Sequence, residues 1–137
     1  MINTIKAFIE TCPALSEIEV ININYLGEQS ASAAVENVSA EPIIKNYTDG
    51  ATLRQFLFTI ALRENYGQDA EANSAAAAKL DQISDWICEQ DKIGILPVLE
   101  GNKSSVSLEV VKTGWVEEKE SDTAKYQLQC RLVYYQD

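Results

Sequence analysis

Histidine is absent from all 137 residues of the chain. Because histidine is the commonest general base and a frequent zinc ligand, its absence excludes histidine-dependent triads and dyads and most zinc sites. The glycine-rich loops that cradle phosphates, GxxxxGK(S/T) and GxGxxG, are missing as well. We therefore expect no enzymatic activity, no metal and no cofactor.

Positive charge is scarce: Lys and Arg total 11 against 21 Asp and Glu, which gives a net charge of −10. Without a basic stripe, nucleic-acid binding through phosphate contacts is not expected. No apolar run is long enough to predict a membrane-spanning helix. The opening MINTIKAFIETCP is interrupted by Asn3 and Glu10, unlike a secretory signal, so we expect synthesis in the cytoplasm.

Cysteine pairs are also missing, since Cys12, Cys88 and Cys130 lie far apart and form no CxxC motif. We expect all three to be small buried hydrophobic residues in a reducing compartment. The remaining composition is globular, with 46% apolar and 23% charged residues. The length suits a single domain spanning 1–137.

Two helices are predicted from apolar stripes at a spacing of three to four residues, one over 1–12 and one over 69–90. Pro13 ends the first helix, because the residue before a proline avoids helical geometry. Gly94 and the following Pro97 end the second.

The stretch LRQFLFTIALRE, residues 53–64, is predicted to be a strand, although a helical alignment of Leu53, Leu57 and Ile60 also exists. Dense aromatic and β-branched residues and the turn pairs at both ends favour the strand. An ordinary half-exposed strand alternates apolar with polar residues, whereas this strand is nearly apolar on both faces. Two alternatives remain for what covers the second face: a neighbouring protein, or the helix over 1–12.

Alternating patterns predict further strands over 19–26, 106–117 and 124–136, a short element over 43–47, and a weak edge strand over 35–38. Val106, Leu108 and Val110 are expected to share the inner side of their strand. The order predicts an α+β domain: a mainly antiparallel sheet of four to five strands, with an N-terminal helix and one long helix packed on one face. The predicted core comprises Ile2, Ile5, Ile9, Phe58, Ile60, Ile83, Ile87, Leu128, Cys130 and Leu132.

Carboxylates cluster at Glu117, Glu118, Glu120 and Asp122, where the last two strands should meet in a hairpin. Their simplest interpretation is a solvated turn. Asp81 and Asp85 share a helix face, but like charges at that spacing usually mark the wet side. Asp49-Gly50 is typical of a turn.

Four stretches together resemble the minor capsid or tail-terminator proteins of long-tailed phages and prophages of Gram-positive bacteria. The stretches are MINTIKAFIETCP, PIIKNYTDGATLRQFLFTIALRENYG, DQISDWICEQ and AKYQLQCRLVYYQD. The likeness runs over nearly the whole chain and depends on the order of these stretches, because none of them is a catalytic motif. It is weakest over the alanine-rich residues 70–78.

The resemblance implies a tail-completion protein with a tail-terminator-like fold. Such proteins form a ring, commonly six-fold, that stops tail-tube polymerisation and joins tail to head. They catalyse nothing, and DNA passes through the ring without specific binding. The implied partners are other copies, tail-tube proteins and head-completion proteins, with no membrane; the implied location is the host cytoplasm during assembly and then the virion.

On this interpretation the ring interface would involve Leu57, Thr59, Ala61, Trp115 and Tyr135, and the lumen would receive Glu117, Glu118, Glu120 and Asp122. A ring interface joins two different patches on neighbouring copies. The alternative is a small acidic inhibitor-type protein that acts as a monomer on a basic partner.

Overall fold

Two helices and six strands make up the protein in the computed structural model, which describes residues 1–16, 18, 21–24, 26, 32–65, 70–117 and 123–137. Side chains are described in these ranges except at 64–65, 70–76, 114–117 and 123–124. The elements in chain order are α1 (Ile2–Ile9), a 3-10 turn (Pro13–Leu15), β1 (Ile21–Ile23), β2 (Ser32–Val38), β3 (Ile43–Asn46), β4 (Thr52–Asn65), α2 (Ala70–Ile93), β5 (Lys103–Glu117) and β6 (Thr123–Gln136). The predicted α+β class is confirmed, with six strands instead of four to five.

The strands form one sheet in the order β1-β2-β4-β6-β5. Only β1 and β2 run parallel; the other pairs are antiparallel. β6 follows β4 along its whole length, so β2 and β3 both lie on the opposite side of β4. The prediction of β2 as an edge strand is wrong, because β1 pairs with its outer side.

Both helices pack on one face of this sheet. Helix α1 lies over β1 and β2, and α2 lies over β4, β5 and β6. Their apolar stripes meet the even-numbered residues of β4 and β6 in one core. Nine of the ten predicted core residues are buried and Ile2 is half-buried. The stretch LRQFLFTIALRE, residues 53–64, is therefore a strand, and the prediction of one core between sheet and helices is confirmed.

The end of α2 is fixed to β5 by backbone geometry. Gly94 has φ +81°, a left-handed conformation that costs little only in glycine. This turn lets the Ile95 amide donate to the Gln90 carbonyl at 2.9 Å, which closes the last helical turn. Three residues before Gly94, the Asp91 carboxylate accepts a hydrogen bond from the Leu108 amide of β5 at 2.9 Å.

Strand β5 contains two bulges, each of which adds one residue with no direct partner on β6. The extra residues are Val106 and Val111, which are 52% and 51% exposed. The prediction that Val106 shares the inner side with Leu108 and Val110 is therefore wrong, because the first bulge shifts the alternation by one residue. Leu108 is buried and Val110 packs half-buried against the core.

Candidate assembly surfaces

The second face of β4 carries Leu57, Thr59 and Ala61, and no helix in the described residues packs on it. Helix α1 shares the core with α2 on the opposite face, so the predicted alternative that α1 covers the second face is wrong. Yet Thr59 is only 9% exposed and Ala61 is fully buried. A different cover must therefore exist.

An ion pair between the two flanking strands lies over this part of the face. The Lys125 ammonium on β6 lies 2.9 Å from the Glu36 carboxylate on β2, and both side chains are 27% exposed. Lys125 is opposite Arg63 of β4, and Glu36 is opposite Thr59. Ala61 is the β4 residue of the same face between these two positions. The ion pair thus crosses β4 diagonally above the Ala61 methyl group. A larger side chain at position 61 would displace the ion pair.

A second ion pair closes the same face towards β5. Arg131 of β6 and Glu109 of β5 are directly opposite. The Arg131 Nε donates to Glu109 Oε1 at 2.6 Å, and its guanidinium also pairs with that oxygen. Leu57 is half-buried next to this arginine. We call this surface of β2, β4, β6 and β5 the open face. Its charged side chains include two ion pairs between neighbouring strands, Lys125–Glu36 and Arg131–Glu109.

The five predicted interface residues do not form one patch in the described structure. Leu57, Thr59 and Ala61 share the open face, and Tyr135 lies on the same face where it is opposite Leu53. Trp115 is opposite Tyr126, and its side chain lies outside the described side chains. Thr59 and Ala61 present almost no area, so Leu57 and Tyr135 are the accessible members.

The predicted lumen residues lie at the β5–β6 hairpin. Glu117 is the last residue of β5 and pairs with Ala124, which confirms the hairpin pairing at that point. The side chain of Glu117 is outside the described side chains, and Glu118, Glu120 and Asp122 are outside the described residues.

Sequence reasoning missed an exposed apolar segment at the opposite end of the sheet. Residues 43–47, named here the β3 arm, include Ile43, Ile44 and Tyr47, which are 40%, 47% and 36% exposed. All four residues of β3 are exposed, because β3 pairs only with the beginning of β4. The motif Ile-Ile before the Asp49-Gly50 turn could have indicated this arm, since the surrounding residues are mostly small or polar.

The ring of Tyr47 in the β3 arm contacts the ring of Tyr135 on β6. The Tyr47 and Tyr135 ring centroids are 5.9 Å apart, and the Lys45 ammonium lies 5.1 Å from the Tyr47 centroid. The arm ends in the predicted turn, where Gly50 donates to the Tyr47 carbonyl at 3.1 Å. Desolvation, followed by the carboxylates of Asp49 and Asp137, raises the pKa of the Tyr135 hydroxyl above its ordinary value.

An open groove lies in the helix layer, between the 3-10 turn and α2. Its volume is about 480 Å³, within the range of pockets that hold side chains or small ligands. The Trp86 ring at its base is braced by Phe8, with centroids 5.1 Å apart. We name it the α2 groove; its lining residues are Pro13, Ala14, Gln82, Asp85, Trp86 and Glu89.

Two of the three cysteines are buried. Burial raises the pKa of the Cys130 thiol to about 12 and also raises that of Cys12, so both stay protonated at neutral pH. Cys88 is exposed, which corrects the expectation that all three cysteines are buried. No group of three metal-ligating side chains occurs within the described ranges. None of the described helices has the length and apolar character needed to cross a membrane.

Comparison with known proteins identifies the fold. No protein-family model and no curated protein matches the chain. Among solved structures, the chain is similar to a chain of the virion of a native gene transfer agent (GTA) particle, with a TM-score of 0.53 and 14% sequence identity. The match covers 91% of this chain and 84% of the other. The two chains share a fold over nearly their whole lengths.

Proposed function

We propose that this protein is a non-catalytic structural component of a phage or phage-like virion. The observation that carries this proposal is the fold shared with a chain of a virion particle over 91% of the present chain. The resemblance of the sequence to the minor capsid or tail-terminator proteins of long-tailed phages and prophages is compatible with this proposal.

The specific role that we propose is that of a tail terminator or head–tail joining subunit. Copies of the chain would form a ring, possibly six-fold, that caps the tail tube and meets head-completion proteins. The ring would assemble in the host cytoplasm and then remain in the tail or neck of the virion. DNA would pass through it without specific binding.

The ring interface is proposed to include Leu57 and Tyr135, the two accessible members of the predicted set, which lie on the same face as Thr59 and Ala61. Trp115, the fifth predicted residue, pairs with Tyr126 near the other end of β6. The lumen is proposed to receive Glu117, Glu118, Glu120 and Asp122. DNA carries one negative charge per ≈ 1.7 Å of helix axis, so carboxylates there would repel it and keep its passage smooth.

The terminator role is tested by tail-tube polymerisation in vitro. Tail-tube protein from the same genome is polymerised with and without this chain, and tube lengths are measured by electron microscopy. We expect the chain to stop elongation at substoichiometric amounts and to appear at one end of each tube. Tubes of unchanged length would contradict the terminator role, and a monomer that instead binds a basic partner would support the inhibitor alternative.

The lumen assignment is tested by changing the four hairpin carboxylates to lysine within the phage. Normal assembly with slowed DNA delivery would support a lumen position. Normal assembly and normal delivery would show that these carboxylates serve solubility alone.

A further inference from the structure

The first bulge of β5 leaves Val106 without a direct partner on β6. We propose that this bulge is a conformational device: β5 has a second register, in which Val106 turns to the core side and the extra residue passes into the loop before the strand. The proposal concerns the isolated chain and does not rest on the virion role.

Apolar burial favours the second register. Val106 is 52% exposed, and Ser105 occupies the core-side position opposite Tyr134, which belongs to the hydrophobic core. A shift of one residue along β6 would bring Val106 opposite Tyr134. Val106 would then share a side with Leu108, because alternate residues of a regular strand lie on the same face. Burial of its side chain would stabilise this register.

Three hydrogen bonds at the beginning of β5 favour the observed register. The Ser105 hydroxyl donates to the Pro97 carbonyl at 2.5 Å. The Asn102 side-chain amide donates to the Asp137 carbonyl, and the Asp137 amide donates to the Asn102 carbonyl at 3.1 Å. A shift of one residue would break all three. The net contributions of a few hydrogen bonds and of one buried valine are similar in size, so a small change in either selects the register.

The movement is confined to the strand before residue 107. Beyond the bulge, the Leu108 amide is held by the Asp91 carboxylate at 2.9 Å, and Glu109 pairs with Arg131 directly opposite. Both contacts remain when Val106 comes opposite Tyr134. The loop that receives the extra residue, 98–102, consists of exposed residues except for Leu99.

The register decides the shape of the free edge of the sheet. In the observed register only Ser107–Val110 pairs regularly between the two bulges. In the second register the pairing would run without a break from Ser104 to Val110. A regular free edge can accept an added strand, whereas a bulged edge resists one. The first bulge therefore keeps this edge closed, and the shift opens it.

Thiol reactivity tests the second register. Val106→Cys in a Cys88→Ser background places an exposed thiol at the bulge, while Cys12 and Cys130 are buried. Adding Asn102→Ala and Ser105→Ala removes two of the three hydrogen bonds. We expect the thiol at position 106 to react with 5,5′-dithiobis(2-nitrobenzoate) at least about tenfold more slowly, because the shift buries it. Local fraying would instead speed the reaction. An equal or faster rate in the folded variant would overturn the proposal.

Val111→Cys at the second bulge is the matched control. It is exposed like Val106, and its distance from the three hydrogen bonds should leave its reaction rate unchanged by the same two alanine substitutions.

Disulfide trapping gives a second readout that detects even a minor register. In the observed register Tyr135 is opposite Ser104, and Ser105 faces the other side of the sheet. Ser105→Cys/Tyr135→Cys can therefore form a disulfide only after the shift, whereas Ser104→Cys/Tyr135→Cys can do so without it. We expect both pairs to close under mild oxidation in a Cys88→Ser background. Closure of the second pair alone would show that β5 has one register and would overturn the proposal.

Discussion

Phe58 and Ile60 on one face of β4 are buried by side chains from two helices, whereas Ala61 on the other face is buried by an ion pair between neighbouring strands. The first face uses large side chains and a second layer of structure. The second uses short side chains beneath long ones from β2 and β6. The aliphatic stems of lysine and glutamate can cover apolar surface while their charged ends remain partly hydrated.

The difference shows why a strand that is nearly apolar on both faces does not require two covering layers. Where the residues are small, flanking strands of the same sheet can close over them. The open face therefore offers a neighbour mainly charged and amide groups. The large exposed apolar side chains of the described residues lie in the β3 arm, at the two bulges of β5, and at the end of α2 and just after it; the last group consists of Ile93, Ile95 and Val98.

The largest effect is expected on the helix-bearing face. Leu128→Ala should lower the free energy of unfolding by about 2–5 kcal/mol, because the fully buried side chain leaves a cavity between sheet and helices. Urea unfolding measures the change. Val111→Ala, at an exposed bulge, is the control and should stay within about 0.5 kcal/mol of the wild type. Similar losses in the two variants would contradict the assigned core.

Enlarging Ala61 should give a smaller but clear effect. Ala61→Leu places a branched side chain below the Lys125–Glu36 pair, and we expect a loss of about 1–3 kcal/mol from overpacking. Ala78→Leu makes the same change on the exposed side of α2 and should be nearly neutral. If Ala61→Leu were also neutral in urea unfolding, the open face would lack the close cover described here.

Alkaline pH should weaken the helix-bearing face through Cys130. Burial raises the pKa of this thiol from 9.0 to about 12, so the folded state holds its proton over a range in which the unfolded state releases it. The associated stability is therefore fully present below pH 9 and is lost as pH rises towards 12. Relative to Cys130→Ala, wild-type stability should fall by about 1.4 kcal/mol per pH unit within this window. Parallel pH profiles of the two proteins would refute this cause.

The smallest expected effect is a difference in coupling free energy between two ion pairs. A double-mutant cycle on Lys125 and Glu36 should give a coupling of about 0.5–1 kcal/mol, because both side chains are largely shielded from water. The pair Lys6–Glu10 lies at 3.8 Å with a more exposed carboxylate, and its coupling should be about 0.3–0.5 kcal/mol. Equal coupling free energies would contradict the conclusion that the Lys125–Glu36 pair is better shielded from water than the Lys6–Glu10 pair.

The sequence predicted the elements with strong periodicity and missed the features that depend on distant pairing. Regular apolar spacing predicts strands β4 and β6 and both helices. The interior position of β2 does not, because its small residues Ala33 and Ala34 carry little hydrophobic contrast. The bulge at Val106 also leaves no mark in the alternation, because Val106 continues the spacing of Leu108 and Val110.

The candidate surfaces were harder to predict than the fold. The open face of β4 could be recognised from Leu57, Thr59 and Ala61, but its cover joins Glu36 to Lys125, and no local pattern relates residues so far apart in sequence. The β3 arm was expected only as a short element. Its exposure follows from where β3 pairs on β4, which is a property of the sheet as a whole.

The two bulges of β5 also limit how the protein can associate when it is abundant. β5 is the last strand of the sheet, and between its bulges only Ser107–Val110 pairs regularly with β6. An incoming strand would find a free edge that bends and changes register twice, so it could form few consecutive backbone hydrogen bonds. Copies of the chain can therefore reach a high concentration without adding strand to strand at this edge.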